Sequence, residues 1–182
     1  DGEEAVPFGR LVTLGAAATW LDADSGGSFH PDGGRVPPVP TAHPAPHALP
    51  VLLDALGRGE VDDVEAVRAF VLGCEVGLRF GVGTSLRPGL HPHGIHGPIA
   101  AAVAASALTG ADTATTTRAI ELAGSLPLAG VLAVPMQGGT VRNVWTGLGS
   151  YYGALAARLA EAAHDADPGL LATLYGGVVA TW

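Results

Sequence analysis

Ile99-Ala-Ala-Ala-Val-Ala-Ala-Ser-Ala-Leu108, entered through Arg87-Pro-Gly-Leu-His-Pro-His-Gly-Ile-His-Gly-Pro98, decides the fold. The first of these stretches is small or apolar on every side. A helix of that kind belongs in the middle of a helical layer, because it has no face to offer water. Pro98 is the expected helix start, since a missing N–H costs nothing in a first turn. Gly94 and Gly97 let backbone or ligand approach closely. His91, His93 and His96 therefore stand at the entrance to a helix, whose unsatisfied N–H groups attract anions. A carboxylate could meet a binding group and a proton-transfer group in this one segment. The bland alternative is a surface loop whose histidines hydrogen-bond water.

Working outward, the 182 residues fit one domain, 1–182, with a sizeable core. A net charge of −8 argues against nucleic acid as a partner. Charged residues make up only 14% and apolar ones 48%, so part of the surface is expected to meet another subunit. The longest uncharged run, 122–141, is interrupted by Pro127, Pro135 and several glycines, which argues against a membrane span. No basic leader with an apolar run behind it is read at the start, and Asp1 as first residue is compatible with a segment of something longer. Cys74 is the single cysteine, which excludes a disulfide framework within the chain and makes a reducing cytoplasm the simplest compartment.

Along the chain, Gly9 to Leu21 reads as helix, closed by Leu21-Asp-Ala-Asp-Ser25. Ser25 to Pro50, dense in Gly, Pro and His, cannot be one regular element and reads as a functional loop holding His30, His43 and His47. A short helix is expected over 50–56 and the clearest one over 62–81, where Val64, Val67, Val71, Cys74 and Leu78 recur at helical spacing. Asp62, Asp63 and Glu65 suit its N-terminus, and Gly73, Gly77 and Gly81 need a close helix neighbour to justify their low propensity. Glu75 and Arg79 form an i,i+4 pair best read as solvated. A helix over 111–125 is capped by Asp112. Leu126 to Val134 is ambiguous between helix and extended chain. Gln137-Gly-Gly-Thr-Val-Arg-Asn143 reads as a polar turn before a helix over 146–164. With no β alternation of comparable strength, the fold class is all-α.

Three polar clusters flank these helices: Asp22 and Asp24 with His43; His91, His93 and His96; and Arg142 with Asn143. Acid-base work on a carboxylic acid needs this set. Arginine holds a carboxylate bidentately, imidazole shuttles protons near neutrality, and an aspartate orients the imidazole or acts as base. A helix dipole lowers a histidine pKa, so His91 could serve as a neutral base. Zinc is the rival for the three histidines, but it would need a fourth ligand such as His43 or Asp22, and the reading adopted is no metal. No phosphate loop, dinucleotide fingerprint or nucleophile elbow is present, and no cofactor is expected.

The order of these loops resembles the helical domain of the MmgE/PrpD family, which includes 2-methylcitrate dehydratase, cis-aconitate decarboxylase and iminodisuccinate epimerase. Leu21-Asp-Ala-Asp stands for the family's "LDFDD", His43-Pro44 for "HPS", and Gly73-Cys-Glu-Val with Arg79-Phe-Gly for "GYE…RLG". Gly89-Leu-His-Pro-His-Gly-Ile-His-Gly stands for "GFHPTGTLGAAAAA", and Thr140-Val-Arg-Asn-Val-Trp-Thr-Gly precedes the helix ending Leu155-Ala-Ala-Arg-Leu-Ala160. The match covers about 16–160.

The resemblance implies that Asp22, His43 and His91 are catalytic and that Arg142 meets the substrate carboxylate; Asp24, His93 and Asn143, members of the same polar clusters, are read as further substrate-binding residues. It implies a lyase (dehydratase or decarboxylase) or isomerase acting on a small carboxylic acid. Ser25 departs from the second aspartate of the motif and Gly26 from the threonine that often follows. Family members are longer, with an α/β lid that nothing here matches, so the chain is expected to be a partial helical domain acting as a homodimer or as a heteromer with a lid-bearing subunit. A non-catalytic scaffold derived from the helical domain is the alternative.

Overall fold

The computed structural model describes residues 8–21, 26–34 and 37–182. Its helices are α1 (Phe8–Ala18), α2 (Ala45–Arg58), α3 (Asp63–Gly83), α4 (His93–Leu108), α5 (Thr113–Gly124), α6 (Ala133–Met136), α7 (Val141–Glu161) and α8 (Leu170–Thr173), the last running into a π-helical turn, Leu174–Val178. Strand is confined, among the described residues, to two antiparallel pairs of two-residue segments: β1 (Ser28–Phe29) with β2 (Val39–Pro40), and β3 (Ser85–Leu86) with β4 (Ala180–Thr181). The domain is all-α. No helix among the described residues is long and apolar enough to cross a membrane.

As its composition requires, α4 is the central helix, and α2, α3, α5 and α7 pack around it. Every residue from His93 to Ala104 is buried. Close approach is made with small residues. A Cβ on Gly73 would lie 2.7 Å from the Ala100 carbonyl oxygen, so α3 could not come this near α4 with any side chain there. The spaced valines that announce α3 lie on its opposite, exposed side. A capping box of Asp62 and Glu65 starts this helix, and Asp112 caps α5 through the Thr115 N–H at 2.8 Å. The Glu75–Arg79 pair is solvated, with both side chains more than half exposed.

Four boundaries differ from the sequence reading, each for a physical reason. Helix α4 begins at His93, five residues ahead of Pro98, so the proline sits inside it. The carbonyl that Pro98 cannot satisfy belongs to Gly94, and it accepts the Leu128 N–H at 2.8 Å instead. Helix α2 begins at Ala45 because Pro44 and Pro46 occupy a first turn that needs no donors. Its start takes His47 out of the expected loop. Helix α7 begins at Val141, placing Arg142 and Asn143 in its first turn rather than in the preceding turn. The ambiguous 126–134 segment is irregular, with Val131 bridged to Leu90, and ends in the one-turn α6.

Candidate active site

Two chain segments hold the histidine-bearing entrance of α4. Residues 89–91 pair with 130–132 through Leu132 N–H to Gly89 carbonyl (2.8 Å) and His91 N–H to Gly130 carbonyl (2.9 Å). Glycine at 94 lets Leu128 press against the first turn of α4, where any Cβ would collide with the Leu128 carbonyl. The imidazoles are therefore carried on a braced backbone.

His43, His91 and His93 come together as a stack. Ring centroids are 4.8 Å apart for His43 and His93 and 4.7 Å for His91 and His93, with planes within 26° of each other; His43 and His91 are 6.3 Å apart. His91 and His93 are buried, while His43 is half-buried. Among the described residues no group of three or more His, Cys, Asp or Glu side chains is arranged to hold a metal. Stacked faces do not aim ring nitrogens at a common point, as tetrahedral ligation requires.

Hydrogen bonds constrain the tautomers. The His93 backbone N–H donates to His91 Nδ1 at 3.3 Å. Neutral His91 thus carries its N–H at Nε2 and a lone pair at Nδ1. His93 Nδ1 meets both His47 Nε2 (3.2 Å) and Thr146 Oγ1 (3.1 Å). One proton is shared between the two facing ring nitrogens, so the tautomer of His93 is tied to that of His47.

Sequence reasoning missed His47. It is fully buried in the first turn of α2, and the ring fits because Gly97 of α4 and Gly149 of α7 lack side chains; a Cβ at either would run into it. The signal was the His43-Pro-Ala-Pro-His47 run, where two prolines mark a helix start and place the histidines one turn apart. Trp145 and Thr146 were missed too. Trp145 packs over Gly130 with its ring 5.9 Å from His91, and Thr146 bridges His93 to the first turn of α7 by donating to the Arg142 carbonyl (3.2 Å).

Arg142 is buried in that same turn. Its guanidinium donates to the Thr19 carbonyl at 2.7 Å, just past the end of α1, and weakly to Asn143 Oδ1 at 3.5 Å. Thr19 reaches back to the cluster through its hydroxyl, 3.4 Å from Thr146 Oγ1. The turn carrying Arg142 and Asn143 therefore touches the histidine stack. Asp22 and Asp24 lie outside the described residues. The chain returns from them at Gly26, where a Cβ would sit 2.8 Å from the His43 ring, so the missing threonine of the motif leaves room for His43.

His96 is not part of the cluster. Its Nε2 lies 3.0 Å from Thr84 Oγ1, which already donates to the Phe80 carbonyl (2.6 Å), so His96 is the donor. Its ring stacks on buried Tyr175, and burial pushes its pKa down to about 4. His30 is exposed on the β1–β2 connection. Two cavities of about 300 and 580 Å³ lie elsewhere, the first between α1, α2, α4 and α7 and the second beside α3.

The profile of the MmgE/PrpD N-terminal domain matches residues 12–181, from within α1 to the last strand. No curated protein matches the chain. With nearly the whole length covered, the chain belongs to the MmgE/PrpD family, as its N-terminal domain.

Proposed function

We propose that this domain carries the proton-transfer half of a lyase or isomerase site that acts on a small carboxylic acid. The observation that carries the reading is the stack of His43, His91 and His93 against the α7 turn that bears Arg142. Arg142, with Asn143, meets the substrate carboxylate; Asp24 and His93 line its path. His43, oriented by Asp22, takes the proton from the carbon next to that carboxylate, leaving the C–H electron pair on carbon. His91, entering as the imidazolium, gives a proton from Nε2 and is left neutral. Delivered to a departing hydroxyl, this proton completes a dehydration; delivered to the opposite face of the same carbon, it completes an epimerisation. If carbon dioxide leaves instead, the pair freed from the C–C bond takes the His91 proton and the reaction is a decarboxylation. No step calls for a metal or cofactor.

In this reading residues 1–182 work in the cytoplasm as one helical unit of an assembly, a homodimer or a heteromer with a lid-bearing subunit. The test is isotope exchange. Protein in deuterated buffer, with any subunit that co-purifies, is incubated with citrate-like, itaconate-like and aspartate-like acids, and carbon-bound deuterium is followed by NMR. The expected result is exchange or turnover of at least one acid. Tight binding of an acid with neither exchange nor turnover would instead make the domain a scaffold.

A further inference from the structure

His47 takes no part in the proposed proton transfers, yet a slot is built for its ring. Gly97 in α4 and Gly149 in α7 stand in helix interiors, where glycine is disfavoured against alanine. A Cβ at either would strike the imidazole, at 2.6 Å in the case of Gly149. A core position that needed only filling would take an aliphatic side chain at lower cost, because a fully buried imidazole gives up hydration at both nitrogens. The ring therefore has a polar task.

That task concerns His93. Thr146 gives its hydroxyl proton to the Arg142 carbonyl, so its oxygen faces His93 Nδ1 as an acceptor, at 3.1 Å. The hydrogen that meets it sits on His93 Nδ1, and His47 Nε2, 3.2 Å from the same nitrogen, accepts it as well. A half-turn of the His93 ring would set a carbon against both acceptors. Histidine χ2 is broad and two-fold, so these bonds choose between the two settings. The run that carries His47 also carries His43. Pro44 and Pro46 fix two backbone torsions between them, and the His47 N–H donates to the Pro44 carbonyl at 3.1 Å. His43-Pro-Ala-Pro-His47 thus grips His93 by a face, with ring centroids 4.8 Å apart, and by an edge. His91 stacks on the same ring at 4.7 Å. The plane of His93 therefore sets where the two acid-base rings stand relative to each other.

We infer that His47 is a positioning residue of the histidine stack: it holds the His93 ring in one setting with its proton on Nδ1, and through that ring it spaces His43 and His91. Its consequence for rate rests on the proton-transfer reading, whereas its effect on His93 does not. The test compares His47→Gln, whose carboxamide reaches His93 Nδ1 and accepts from it, with His47→Leu, which fills the slot without an acceptor. ¹⁵N NMR of the imidazoles is expected to show neutral His93 protonated at Nδ1 in wild type and His47→Gln, and a mixture of Nδ1 and Nε2 forms in His47→Leu. With an acid that exchanges in deuterated buffer, His47→Leu should lose roughly 10-fold to 100-fold in kcat with KM little changed, and His47→Gln should recover most of it. A residue that only packs predicts the opposite order, because leucine is the better core filler. Circular dichroism checks both folds; if the leucine variant does not fold, the wild-type tautomer and the rate of His47→Gln decide. Wild-type His93 protonated at Nε2, His93 signals indifferent to His47→Leu, or a His47→Gln no faster than His47→Leu would overturn the proposal. A wild type that exchanges no acid while its His93 signals behave as expected would instead remove the functional reading and leave the hold of His47 on His93 standing.

Discussion

His93 and His96 share one turn of α4, yet they live in different chemistry. Three residues along a helix turn the side chain by 300°, enough to send His93 toward α2 and α7 and His96 toward α3 and Tyr175. His93 meets other imidazoles, a threonine and, through that threonine, the arginine-bearing turn. His96 donates one hydrogen bond, and its Nδ1 has no partner among the described residues. Coupled titratable groups near a half-open edge can move protons; an isolated buried one stays neutral and stacks. Histidine count alone therefore says little about function, and what decides is whether the rings talk to each other.

The comparison breaks most sharply through activity. His91→Ala should lower exchange or turnover by roughly 10²-fold to 10⁴-fold, the usual worth of a positioned acid-base group, with little change in melting temperature. His96→Leu should leave the rate nearly intact. Equal losses in the two variants would erase the distinction.

A second effect belongs to His96. Its folded pKa of about 4 lies below the unfolded value near 6.5, so as pH falls through this window the unfolded chain takes up a proton that the native state refuses. Stability is fully present above the unfolded pKa and declines toward pH 4, by about 3 kcal/mol in all. Urea titrations between pH 7 and pH 4 should show this decline in wild type and a flatter profile in His96→Leu. A variant with an unchanged slope would place the titrating group elsewhere.

The smallest effect sharpens the cluster side. Gly97→Ala puts a methyl into the space of the His47 ring and should cost about 1–3 kcal/mol by overpacking. It should also shift the NMR signals of the His93 ring, which His47 contacts. Destabilisation without any change at His93 would mean that the two rings are not coupled.

The helical class and the central place of α4 were legible because a helix with no polar side can only be buried. The clustering of His43 and His91 was legible through the family's motifs rather than through spacing. Less visible was which face of α3 is inward: its glycines carry no hydrophobic signal, so the valine periodicity marks the exposed side. Proline misled twice. Pro98 lies inside α4 because the Leu128 N–H of the neighbouring loop takes up the Gly94 carbonyl, and prolines 44 and 46 open α2 rather than ending a loop. That second case hid His47. The tautomer of His91 depends on a single backbone N–H, which no sequence pattern discloses.

The most direct measurement of the division between the two histidine environments is ¹⁵N NMR of the imidazole rings, recorded against pH and with added itaconate or citrate. The expected result is a neutral His91 protonated at Nε2, with His43, His91 and His93 responding to the carboxylate, and a His96 signal that ignores the carboxylate and stays neutral until the pH approaches 4. A His96 that titrates near 6.5, or a carboxylate response at His96 with the other three silent, would contradict it.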